Sequence, residues 1–138
     1  MDFSLEAALQ FDGETGPYVQ YTHGRIQSIK QKSGLNFDNR PLPSLHQESL
    51  ELDEMWVLLK ELSRYPETIA QAVQKCEPSV LAKYLLSLCK KFNRYYQQHR
   101  MLGVGTAETE TRVLAAHLTG TVLHEGLSLL GIEAPEKI

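Results

Sequence analysis

Cations and aromatic rings are interleaved in two stretches of this 138-residue chain that contain no acid. Between Glu14 and Asp38 lie Arg25, Lys30 and Lys32; between Glu77 and Glu108 lie Lys83, Lys90, Lys91, Arg94 and Arg100. Five of the six tyrosines, Tyr18, Tyr21, Tyr84, Tyr95 and Tyr96, fall in the same stretches. Ammonium and guanidinium groups pair with phosphates, and aromatic faces stack on unpaired bases, so the combination suits RNA. The net charge of −3 conceals the pattern: the two windows carry +8 and the rest of the chain −11. A charge run is also the ordinary way a helix face meets water, and Tyr84 and Tyr95 lie on or near a core stripe. Composition alone leaves both readings open.

Other chemistries are poorly provided for. The five histidines, His23, His46, His99, His117 and His124, form no HxxxH or HExxH pattern and flank no cysteine pair, which argues against a zinc site. No Walker-type phosphate loop and no Gly-x-Ser-x-Gly elbow occurs, and no catalytic constellation emerges. Cys76 and Cys89 are too few for a disulfide scaffold and read as free thiols. The first residues, Met1 to Glu6, lack the basic start of a signal peptide. No apolar run approaches the length of a membrane span. These features point to a soluble, cytoplasmic protein.

The elements that must position the cations and tyrosines are helices. Pro17 suits a first helical turn. After it, Val19, Thr22, Ile26 and Ile29 mark one face of a helix closed by Gly34. Gly24 inside that helix costs about 1 kcal/mol against Ala, tolerable where a backbone or a ligand approaches closely. Residues 36–46, with Pro41 and Pro43, read as a surface loop. Leu52, Met55, Trp56, Leu59 and Leu62 form the next stripe, broken at Tyr65-Pro66. Thr68 to Lys75 gives a shorter helix with Ile69, Ala72 and Val73 inward. From Pro78 a long pattern of Leu81, Leu85, Leu88, Phe92 and Tyr95 runs to Gly103. The last helix covers about Glu108 to Leu130, with Val113, Leu114, Leu118, Val122 and Leu129 as expected core and Gly131 past its end. The expectation is one all-α domain, residues 1–138: a lead-in over 1–16, then a helix bundle of about five helices over 17–138.

Specific residues carry a resemblance. Phe11 to Arg25 reads FDGETGPYVQYTHGR. It is similar to the opening of the C-terminal, DALR-type anticodon-binding domain of class I arginyl-tRNA synthetases, F-(E/D)-G-(E/D)-T-G-P-Y-(V/L)-Q-Y-(A/T)-H-(A/S)-R. The segment LLKELSRYP, ending at Pro66, resembles the family's second helix. Glu77-Pro78 through Phe92-Asn93 resembles its long helix, and Arg112 to Lys137 the usual end of these enzymes. The resemblance covers nearly the whole chain in order.

That resemblance implies a bundle that holds the splayed anticodon loop of tRNA(Arg). It implies a separate catalytic domain as second partner, and neither a membrane nor DNA. ATP and Mg belong to that catalytic domain, whose HIGH- and KMSKS-type motifs do not occur here, so no cofactor is expected in this domain. Tyr21 and Arg25 match residues that meet the anticodon, and their spacing of four places them on one helix face. Tyr96 matches a base-stacking aromatic. Arg100 stands where the family can carry a second aromatic; its plane can stack on a base or pair with a phosphate. The chain end lies near the anticodon in this family, here with Ile138 in place of the usual Met. From charge rather than motif, Lys30, Lys90, Lys91 and Arg94 are expected to track phosphates, with Tyr95 as a further stacking face. A reading from another class is a protein-interaction or dimerisation module, descended from a synthetase that no longer binds tRNA.

Overall fold

The first helix, α1 (Thr15–Ser33), places its basic residues Lys30 and Lys32 in the last turn. There they face the negative end of the helix dipole. Its expected stripe is its buried one: Val19, Thr22 and Ile26 are fully buried and Ile29 nearly so. The helix stops at Gly34, whose φ of +70° is the left-handed conformation that glycine adopts without a Cβ penalty. This is a computed structural model, and it describes residues 15–38 and 44–134. The lead-in up to Glu14, Pro41, Pro43 and Ile138 therefore lie outside the described residues.

A single turn, α2 (Gln47–Leu50), is capped by His46, whose Nδ1 accepts from the Ser49 backbone N–H. It leads into α3 (Asp53–Ser63) and α4 (Tyr65–Lys75). The break near Pro66 occurs, but the new helix starts at Tyr65 rather than Thr68, because Pro66 fits the first turn, where its missing N–H costs nothing. Cys76 ends α4 with φ +51°, a left-handed cap on a non-glycine residue. Helices α5 (Pro78–Gln98) and α6 (Thr106–Leu129) follow. The described residues thus form five helices of more than one turn, and no strand.

Helix α5 is the central member, touching α1, α3, α4 and α6. Its whole predicted stripe, Leu81, Leu85, Leu88, Phe92 and Tyr95, is buried to within 1%. Expectation and structure differ on three other helices. Trp56 (61% exposed) and Val73 (66%) face outward; Met55 is buried as expected, Leu58 is buried beside it, and Leu52, Leu59 and Leu62 pack half-buried against the core. On α6, Leu118 and Leu129 are exposed, while Val113, Ala116, Thr119, Gly120, Leu123, Leu127 and Leu130 turn inward. Val113 and Leu114 are buried as expected and Val122 packs against the core, but small residues line much of the rest of that inward face, so hydrophobicity misplaces Leu118 and Leu129.

Those small residues let helices approach closely. A Cβ on Gly120 would stand 2.9 Å from Ile26 Cγ2 of α1, and one on Gly126 2.6 Å from Leu85 Cδ2 of α5. Polar groups also enter the core. The Glu61 carboxylate of α3, fully buried, pairs with Lys91 of α5 and with Arg64, and it accepts from Ser87 Oγ at 2.7 Å. The Tyr84 hydroxyl donates to the Glu61 backbone carbonyl.

Candidate nucleic-acid interface

The exposed side of α1 and the C-terminal end of α5 border a groove of about 860 Å³, continued by residues 99–102. Helical phase decides which α1 side chains reach it. Tyr21, Arg25, Ser28 and Lys32 recur at i, i+4, i+7 and i+11, one face beside the buried stripe, whose Ile29 also reaches the groove, and all four line it. Gly24, itself buried, lines it too. From the other side come Tyr96 and Arg100. None of the described lining residues is acidic.

Arg25 is the centre of this arrangement. Its guanidinium carbon lies 4.6 Å from the Tyr96 ring centroid and 5.3 Å from that of Tyr21, within cation–π range of both. Its Nη1 donates to Asn93 Oδ1 at 2.7 Å. Asn93 Nδ2 in turn donates to the Tyr18 hydroxyl and to Thr22 Oγ1, each at 3.0 Å. Tyr21 is 49% exposed and Tyr96 36%, so both rings are available to a ligand. The core residue Phe92 stacks behind Tyr96 with centroids 6.3 Å apart. Arg100 is exposed, and its backbone carbonyl accepts from Arg112 Nη1 at 2.8 Å.

Tyr21, Arg25, Tyr96 and Arg100 are therefore brought together from two windows about 70 residues apart in sequence. Lys30, Lys90, Lys91 and Arg94 are not brought to this groove. Lys30 lines a second cleft of about 510 Å³ between α1 and α6, beside His23, His124 and Glu125. Lys91 is held by Glu61. Lys90 and Arg94 are exposed on α5, Arg94 close enough to Glu54 to help hold its carboxyl low. The cation that joins Arg25 and Arg100 in the groove is Lys32, and its spacing from Tyr21 and Arg25 could have revealed it. Tyr95 is fully buried and presents no stacking face; burial pushes its hydroxyl above the ordinary tyrosine value. Ile138 lies outside the described residues.

The groove's far edge carries an ion pair. His99 Nε2 meets Glu54 Oε1 at 2.7 Å, and that hydrogen bond holds the Glu54 carboxyl below the usual carboxylate range. Cys89 is buried against Thr22, and burial pushes its thiol up to about 12, which leaves it unreactive at neutral pH. Among the described residues no group of three or more His, Cys, Asp or Glu side chains could hold a metal ion. No described helix is long and apolar enough to cross a membrane. The arrangement offers aromatic faces and fixed positive charge, the means of binding an unstacked, anionic polymer.

The chain is similar to known proteins in sequence and in fold. Residues 19–138 match the family model described as DALR anticodon binding domain. Arginine–tRNA ligase 1 of Bacillus cereus is 44% identical over the whole chain, which spans 23% of that relative's length. Arginine–tRNA ligase of Streptococcus pneumoniae is 44% identical over 99% of the chain, again 23% of the relative. Among solved structures, Thermus thermophilus arginyl-tRNA synthetase superposes with a TM-score of 0.78 at 34% identity, over 96% of this chain and 23% of that one.

Proposed function

The chain belongs to the DALR anticodon-binding domain family, and from that premise we propose that the groove between α1 and the end of α5 receives the anticodon loop of an arginine tRNA. The observation that carries this reading is the convergence of Tyr21, Arg25, Tyr96 and Arg100 on one groove whose described lining is free of acid. In an anticodon loop the bases are unstacked and splayed, so two exposed tyrosine faces offer them replacement stacking. Arg25, Lys32 and Arg100 supply charge for the phosphates. Tyr21, Arg25, Tyr96 and Arg100 are the contacts assigned to anticodon recognition, with Ile138 as a further contact from the chain end.

The fuller activity belongs to the relatives, whose length the chain spans to about a quarter. Arginine–tRNA ligation would use ATP and Mg in their remaining portion, with this domain holding the far end of the tRNA in the cytoplasm during translation. The test is a titration of the chain with an arginine-tRNA transcript and an unrelated tRNA, at low and moderate salt. Selective binding that weakens as salt rises is the expected result. Equal affinity for both RNAs would leave only nonspecific charge. No RNA binding together with a concentration-dependent mass in light scattering would favour an interaction module instead.

A further inference from the structure

The Asn93 side chain joins α5 to the α1 stripe beneath the groove. It is 8% exposed, too buried to meet an RNA directly. Its amide is used in full view of α1: Oδ1 accepts from Arg25, and Nδ2 donates to Tyr18 and Thr22. Those three partners recur at i, i+4 and i+7, so a single side chain is keyed to one face of α1. The guanidinium must see the amide oxygen, so the Arg25 contact fixes which way the amide lies. Charge-assisted bonds of this kind are the stronger ones. A long arginine side chain is otherwise free to sample many rotamers.

We propose that Asn93 is a positioning residue for tRNA recognition: it holds the Arg25 guanidinium against the Tyr21 and Tyr96 rings, and so presets the stacking surface before RNA arrives. The proposal rests on the anticodon-groove reading above. Without the Asn93 tether, Arg25 leaves the ring faces, and RNA binding must pay for reordering it. Asn93 thus acts only through Arg25.

The test is a double-mutant cycle on the full chain, with tRNA affinity and thermal unfolding both recorded. Asn93→Ala is expected to weaken arginine-tRNA binding about tenfold in the wild-type background and less than about twofold in the Arg25→Ala background. Equal losses in both backgrounds would mean that Asn93 acts by general packing, and would overturn the proposal. So would an Asn93→Ala chain that binds normally while Arg25→Ala does not. If Arg25→Ala and Tyr96→Ala both fold and bind normally, it is the groove reading itself that fails. Should Asn93→Ala not fold, Asn93→Asp serves. Its carboxylate keeps the Arg25 bond, and both hydroxyls can turn to donate to it. It is expected to keep the affinity ratio between an arginine-tRNA transcript and one with a replaced anticodon. A ratio that collapses to the Arg25→Ala value would overturn the proposal.

Discussion

Tyr96 stands on α5 with its ring backed by Phe92, within cation–π reach of Arg25 and more than a third exposed. On the anticodon reading, Tyr96→Ala lowers tRNA affinity by about 1–3 kcal/mol, the usual scale of a base–aromatic stack. The fold should survive, because the side chain is not in the core; thermal unfolding beside the tRNA titration checks both points. A folded variant with wild-type affinity would remove Tyr96 from the site. Legibility at this scale depended on distance along the chain. Tyr21 and Arg25 announce their shared face by a spacing of four. Asn93 announces nothing, since its partners lie 68 to 75 residues away and a polar residue in a long helix looks like surface. Tyr95 looked like a stacking face because it neighbours Tyr96, yet adjacent helical residues point about 100° apart.

At the scale of elements, α1 and α5 were readable because large aliphatic side chains mark their buried faces without competition. Helix α6 was readable only in part. Leu118 and Leu129 face solvent, while Gly120 and Gly126 occupy the inward face. Their role is the absence of a side chain, which no hydrophobic pattern records. Close packing there joins α6 to α1 and α5, the two helices that border the groove. Gly126→Ala tests this. A new methyl gains roughly 1 kcal/mol in helix propensity. It also meets three atoms of the fully buried Leu85 at 2.6 to 3.2 Å, and overpacking costs about 1–3 kcal/mol. The expected outcome is a net loss of about 1 kcal/mol in denaturant unfolding. A variant more stable than the wild type would show that Leu85 yields without strain.

Over the whole molecule, opposite sides of α5 do different work. Beside α1 it builds the groove; beside α3 and α4 it is anchored by one buried carboxylate. Burial alone would raise the Glu61 carboxyl. The hydrogen bonds from Lys91 and Ser87, with the charges of Lys91 and Arg64, outweigh burial and hold it below its ordinary value of 4.5. A carboxyl whose folded value is depressed binds fewer protons in the folded state than in the unfolded chain. Its stabilising contribution is therefore complete above about 4.5, the unfolded value, and is lost as pH falls through the lower folded one. Glu61→Gln keeps the shape and removes the charge. Lys91 and Arg64 are 37% and 60% exposed, so they regain water when the carboxylate is gone, and the penalty stays below that of stranding a fully buried cation. The loss expected at pH 7 is about 1.5–3 kcal/mol, the scale of hydrogen bonds to a charged group. It should shrink as pH falls from 4.5 through the depressed folded value, where the wild-type carboxyl itself takes up a proton. Urea unfolding of both chains at pH 7 and at an acid pH below 4.5 measures this. A gap of equal size at both would mean that Glu61 stabilises the bundle by shape alone, and that its ion pair with Lys91, which joins α3 to α5, contributes nothing to holding the groove's central helix in place.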